Sequence, residues 1–176
     1  MGLIKKWFVT GPFLLDRVKD WLHEFGPEKQ SFDSNAKFEG LVEGKSGWSE
    51  IQVPDASYNI DQYSHTLKAC VYFFTYVNSP DDRDAIIYTG SQDDVRMWLN
   101  SVNVLSIKHM RAGIPDVDVT RVHLKKGVNE LVTRVCRYMG QSFFECRITD
   151  LHGNGMPDVT YSVTNTPAIK YSVFAK

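Results

Sequence analysis

Residues 69–104 read ACVYFFTYVNSPDDRDAIIYTGSQDDVRMWLNSVNV. Runs rich in Val, Ile, Tyr, Phe and Thr are cut here by two polar clusters, Asn78–Asp82 and Gly90–Asp94, the composition of strands joined by short turns. From Leu67 to Val77 both alternating sets are largely apolar: Leu67, Ala69, Val71 and Phe73 against Cys70, Tyr72, Phe74 and Tyr76. A strand of that kind belongs at the centre of a sheet covered on both faces. Val95, Met97 and Leu99 instead alternate with Arg96 and Trp98, which predicts one buried face and places Trp98 and Arg96 on the other.

Outward from this stretch the same signals recur. Lys6 to Thr10, Trp48 to Val53, Asp84 to Thr89, Val117 to Leu124, Asn129 to Arg137, Phe143 to Asp150 and Thr160 to Val163 are further strand runs, and Lys125–Gly127 and His152–Gly155 are turns. One helical pattern stands out, Leu14, Val18, Trp21, Leu22 and Phe25, with Asp16 as N-cap and Gly26-Pro27 as the stop. Strands do not alternate with helices, so a doubly wound sheet is excluded. The expected fold is all-β, a two-sheet antiparallel jelly-roll sandwich with one short N-terminal helix. The 176 residues form one domain, 1–176, with 152–176 as a tail, a last strand or a docking segment.

Hydrophobic residues make up 43% of the chain and charged residues 23%, enough apolar surface for a packed core. The formal net charge is -1 and no basic stripe exists, only the isolated pairs Lys5-Lys6 and Lys125-Lys126, so nucleic acid is not an expected partner. The apolar stretch near the N-terminus is broken by Gly11-Pro12 and Asp16, unlike a signal peptide, and no run has the length of a membrane span. Cys70, Cys136 and Cys146 lack metal-ligand spacing and sit in apolar runs, which predicts three buried and mostly reduced thiols; one disulfide with one free thiol is the other reading.

WFVTGPF (7–13), FGPEK (25–29), GWSEI (47–51), the 69–104 stretch and DVDVTRVHLKKGVNELVTRVCRYMGQSFFECRITD (116–150) together resemble the galactose-binding-domain-like β-sandwiches appended to bacterial carbohydrate-active enzymes. The likeness runs over most of residues 5–151. It departs at Ser101, where the family usually has glycine, and at Gly140–Phe144, where a Trp is common. The resemblance implies an accessory module that binds a polysaccharide or oligosaccharide, an extracellular or periplasmic setting and, in many members, a structural calcium. Read on their own, GSQDDVRMWLN and LKKGVNELV are turn segments: the acidic side chains and Asn129 can bond loop backbone, and Gly127 can take positive φ.

Sugar recognition needs an aromatic face for the apolar side of a pyranose and planar polar groups for its hydroxyls. Trp98, Arg96, Asn100, Arg111, Tyr58 and Trp48 have that chemistry, although Trp48 begins a strand and suits a core position. For calcium, a hard cation with several oxygen ligands, Asp81, Asp82 and Asp84 are the first set, with Asp93 and Asp94 or Asp116 and Asp118 as alternatives. Most acidic turns are plain turns, so no cofactor is assigned with certainty. His23, His65, His109, His123 and His152 are scattered and no HExxH or GxSxG occurs; a jelly-roll lyase would have to gather His109, His123, Tyr138 and Arg134 in space. A non-catalytic carbohydrate-binding module is therefore expected. The other reading is a structural or assembly domain that packs against other domains of a parent protein, without a ligand of its own.

Overall fold

A computed structural model describes residues 2–15, 23–38, 47–53, 58–59, 68–140 and 143–165. In chain order the strands are β1 (Lys6–Leu14), β2 (Ser49–Gln52), β3 (Tyr58–Asn59), β4 (Ala69–Ser79), β5 (Arg83–Ser91), β6 (Val95–Leu99), β7 (Val102–Ile107), β8 (Asp118–Leu124), β9 (Gly127–Arg137), β10 (Phe143–Thr149) and β11 (Thr160–Ser162). All pairings are antiparallel. One sheet has the order β2-β1-β4-β9-β6-β7, with β11 also on β4, and the other has the order β3-β10-β5-β8. The chain crosses between the sheets repeatedly, so neighbours in space are distant in sequence. No helix among the described residues is long and apolar enough to cross a membrane.

β4 and β9 pair over their whole length, from Ala69 opposite Arg137 to Ser79 opposite Gly127. Both are buried on both faces, as the doubly apolar pattern of residues 67–77 predicts. Towards the second sheet they send Val71, Phe73, Val77, Leu131 and Val135, joined by Val95, Met97 and Leu99 of β6. Facing them are Ala85 and Ile87 of β5, Val122 and Leu124 of β8, and Phe144, Cys146 and Ile148 of β10. Away from it they send Tyr72, Phe74, Tyr76 and Val132 into a separate aromatic layer.

Turn chemistry follows the sequence closely. Asn129 Nδ2 donates to the carbonyls of Lys125 (2.8 Å), Val77 and Gly127, and its Oδ1 accepts from the Lys125 amide, holding the loop in which Gly127 has φ 93°. Asn100 (φ 51°) and Ser101 (φ 65°) form the two-residue turn from β6 to β7, both in the left-handed region that primed hairpin turns require. Ser101 thus occupies a conformation that glycine would adopt without steric cost. β7 falls between the predicted strands Val95–Leu99 and Val117–Leu124, in a stretch that carries no predicted element. Asp93 and Asp94 bond other loops: their carboxylates accept from the amides of Arg111, Tyr138 and His109 and from the Tyr138 hydroxyl.

Three expectations need comment. The predicted helix falls mainly on residues 16–22, outside the described residues, and Leu14, its first member, ends β1. Within 152–165, Val159 is buried in the core and β11 pairs with Tyr76–Asn78 of β4, so this part is a last strand; residues 166–176 lie outside the described residues. The cysteine expectation is corrected: Cys70 and Cys136 are cross-strand partners joined by a disulfide, and only buried Cys146 is free. Cross-strand register brings their side chains together on one face across 66 residues of sequence, and register is not visible in spacing alone.

Titration of the denatured protein without reductant should therefore find one thiol, Cys146, and three after reduction. Replacing both bridged cysteines with alanine should cost about 2–5 kcal/mol in chemical unfolding. Three thiols without reductant would contradict the bridge.

Candidate functional site: a cleft over the large sheet

The outer face of the large sheet carries two rows of side chains. Register aligns Thr10 (β1), Tyr72 (β4), Arg134 (β9), Arg96 (β6) and Ser106 (β7) in one row, and Phe8, Phe74, Val132 and Trp98 in the next. One row is polar and contains two adjacent arginines; the other is apolar. Apart from exposed Ser106 and half-buried Phe8, both rows are buried. Residues 23–38 lie over them, with Trp48 alongside: Phe32 stacks on Phe74 at 3.9 Å, Phe25 packs on Phe13 at 5.0 Å, and Phe38 meets Trp48 edge-on at 5.8 Å.

Burying two guanidinium groups side by side is costly unless anions and hydrogen-bond acceptors come with them. The covering segment brings both. Glu28, itself 6% exposed, accepts from the Tyr72 hydroxyl at 2.6 Å and from the Gly26 amide at 3.1 Å. Fully buried Arg134 donates to the His23 carbonyl and lies within electrostatic reach of Tyr72. Arg96 Nε donates to Ser106 Oγ at 3.4 Å, and its guanidinium stands over the Trp98 ring at 4.8 Å. Burial, and after it the neighbouring charge of Arg134, makes Arg96 hold its proton less tightly than a solvated arginine. Burial and then the Glu28 carboxylate push the Tyr72 hydroxyl well above its ordinary range, so it remains a donor.

The covering segment itself holds a cleft of about 560 Å³. His23, Phe25 and Phe38 supply rings, and Glu24, Lys29, Gln30 and Lys37 supply donors and acceptors. His23 meets Phe25 edge-on at 4.6 Å. The chain turns at Gly26, whose φ is 127° and where a Cβ would come within 3.1 Å of the Phe38 ring. A side chain at Gly26 would be strained and would crowd Phe38, one wall of the cleft.

The sequence-predicted residues are dispersed. Trp98 is the main correction: it does leave the inter-sheet core, but is only 4% exposed, because that side of the sheet has its own apolar layer. Arg96, 9% exposed, stands over its ring and is not a surface donor. Trp48 is half-buried in the same layer. Asn100 is corrected from ligand to turn residue: its Oδ1 accepts from the Glu130 amide, and its Nδ2 donates to Asn129. Arg111 is likewise committed, forked onto Asp118 and bonded to both the carbonyl and hydroxyl oxygens of Ser91. Tyr58 pairs through its backbone with Phe144 in the other sheet; its side chain lies outside what is described.

The acidic residues are dispersed too. Asp81 is forked onto Arg83, whose charge and hydrogen bonds hold the carboxyl below its ordinary range. Asp82 accepts from the Lys126 amide, and Asp84 pairs with Arg121 and His123. The alternative Asp116 pairs with Arg147. Among the described residues no group of three or more His, Cys, Asp or Glu side chains is arranged to hold a metal ion, so the set Asp81, Asp82 and Asp84 does not form the oxygen cage that calcium requires. His123 and Arg134 face away from the core on opposite sheets, so the lyase-like grouping is not assembled.

Glu28, Tyr72 and Arg134, which tie the 23–38 segment to the sheet, were absent from the predicted site. Arg134 gave a signal, a lone arginine within the apolar run LVTRVC. Glu28 gave none beyond its place in FGPEK.

No protein-family model and no curated protein sequence matches the chain. Among solved structures it is similar to a β-glucosidase from Kluyveromyces marxianus in complex with glucose, with TM-score 0.53 and 13% identity over 82% of this chain and 16% of that one. It also overlaps the PA14 domain of the antifreeze protein MpAFP (TM-score 0.48, 11% identity, 92% of this chain and 90% of that one). A third overlap is with a family 35 carbohydrate binding module from Clostridium thermocellum (TM-score 0.35, 13% identity, 55% of this chain and 89% of that one). The first likeness establishes the sandwich fold alone, and the chain spans about a sixth of that β-glucosidase.

Trp98→Ala should open a cavity in the outer layer and cost about 3–5 kcal/mol of stability. Glu28→Ala leaves the buried Tyr72 hydroxyl without its acceptor and should cost about 1–3 kcal/mol. Urea unfolding monitored by tryptophan fluorescence measures both; a loss below about 1 kcal/mol for either would place that side chain in water instead.

Proposed function

We propose that this chain is a non-catalytic carbohydrate-binding domain whose glycan occupies the cleft between residues 23–30 and 37–38. The observation that carries this reading is the pairing, in one cleft of about 560 Å³, of ring walls with planar and charged hydrogen-bonding groups. That volume is within the usual range of small-ligand sites, about 300–1,000 Å³. Phe25, Phe38 and His23 offer apolar surface to a pyranose; Glu24, Gln30, Lys29 and Lys37 offer partners to its hydroxyls.

A second reading, an assembly domain, is favoured by one feature. Among the described residues no aromatic layer covers the outer face of the small sheet: Val119 is 53% exposed opposite half-buried Tyr88, whose ring carries the Arg147 guanidinium at 4.1 Å, with half-buried Ile86 along the same strand. Contiguous exposed apolar surface of this kind marks contacts between proteins.

Affinity electrophoresis against a polysaccharide panel separates the two. Retardation in at least one gel is expected, and Phe38→Ala should weaken it by about tenfold or more, the worth of one stacking ring. Full retention of binding in Phe38→Ala would move the site elsewhere. No retardation in any gel by folded protein, together with self-association abolished by Val119→Lys, would favour assembly.

A further inference from the structure

We infer that the glycan is held as an extended chain, one part in the cleft at Phe25 and Phe38 and the next in a second cleft lined by Phe8, Phe32, Asp33, Tyr76 and Asn165; the inference rests on the carbohydrate reading above. The second cleft has a volume of about 540 Å³, again within the usual range of small-ligand sites, about 300–1,000 Å³. Phe8 and Tyr76 belong to the outer aromatic layer of the large sheet, and Phe32 meets them from the covering segment at 4.8 and 5.9 Å. Residues 163–165, just past β11, form the remaining wall. The first cleft is held by the same covering segment, so both lie on one side of the sandwich. Trp48 joins them: its ring is 5.8 Å from that of Phe38 and 5.3 Å from that of Phe32. Two such ring-to-ring steps are within the reach of a few linked sugar units.

The second cleft combines the two features that a pyranose requires, ring surface and planar or hydroxyl hydrogen-bonding groups. Phe8 and Phe32 are half-buried, so apolar ring surface borders it. Tyr76 is only 5% exposed, yet its hydroxyl makes no hydrogen bond among the described residues. Buried polar groups are ordinarily partnered, so a hydroxyl left open at a cleft wall is a place for a ligand's own hydroxyl. Burial, and after it the neighbouring Glu130 carboxylate, raises the Tyr76 hydroxyl above its ordinary range, so it stays protonated and can donate. Asn165 presents an exposed amide that has no partner among the described residues. Asp33, also exposed, commits one carboxylate oxygen to the Asn35 amide and leaves the other for a ligand. Among the described residues Asp33 is the one charged side chain that lines this cleft, which disfavours an acidic sugar and suits a neutral one.

The test uses the full chain and oligosaccharide ladders from cellulose, xylan and mannan, each running from the disaccharide to the hexasaccharide; any other polysaccharide that retards the protein supplies its own ladder. By calorimetry, the hexasaccharide of the series that binds should have an affinity at least about tenfold above its disaccharide, because only the longer chain fills both clefts. The double variant Asp33→Ala/Asn165→Ala changes two exposed side chains and should melt like the parent. It should bring the ratio of the two affinities close to unity, a loss of about tenfold for two hydrogen bonds. Equal affinity for disaccharide and hexasaccharide in the parent would overturn the second cleft and leave the carbohydrate reading standing. A length advantage undiminished in the double variant would overturn its assignment to the cleft at Asp33 and Asn165. No binding to any ladder, together with no retardation in any polysaccharide gel, would overturn both.

Discussion

The pairing of Ala69–Ser79 with Gly127–Arg137 sets every other relationship in this sandwich. Side chains alternate faces with period two, so slipping this ladder by one residue would turn Val71, Phe73, Leu131 and Val135 out of the inter-sheet core and drive Tyr72 and Arg134 into it. The register is held at both ends. At one end Cys70 is bonded to Cys136; at the other, Asn129 gathers the carbonyls of Val77, Lys125 and Gly127 around the turn into β9. Between these points the two strands need no further specification, and β6 takes its own register from β9.

A ladder buried on both faces requires two coverings. One is the second sheet, with ordinary aliphatic packing. The other is the 23–38 segment, and its chemistry is dictated by what the register has placed on the outer face. The row Phe8–Phe74–Val132–Trp98 is met by aromatic side chains, while the row containing Tyr72, Arg134 and Arg96 is met by a carboxylate and a backbone carbonyl. A uniformly apolar lid would leave the arginines uncompensated, and a fully polar one would leave Phe74 and Trp98 wet. The cleft lies within that covering segment, between residues 23–30 and 37–38.

The sequence made the strands of the central stretch legible because their periodicity was clean: Val95–Leu99 is a strand as read, and the doubly apolar pattern around Phe73 correctly required two covers. What it hid was the identity of the second cover. Alternation assigned Trp98 to the face opposite the core, which is correct, but exposure on that face depends on residues some seventy positions earlier, and no local pattern reports that contact. The bridged cysteines were obscured for the same reason, since 66 residues separate them. Asn100 and Arg111 looked like ligands because amide and guanidinium groups serve loop architecture and sugar recognition equally well; only their partners, Glu130 and Asn129 for one and Asp118 and Ser91 for the other, decide between the roles.

The sandwich leaves two surfaces from which a partner could be read: the cleft in the 23–38 segment, and the small-sheet face around Tyr88 and Val119. Nuclear magnetic resonance titration of isotope-labelled protein with an oligosaccharide cut from a polysaccharide that retards it distinguishes them residue by residue. Amide shifts concentrated at Phe25, Gly26, Lys29, Gln30, Lys37 and Phe38 are the expected result. Shifts confined to Tyr88, Val119 and their neighbours on β5 and β8, with the cleft silent, would contradict it.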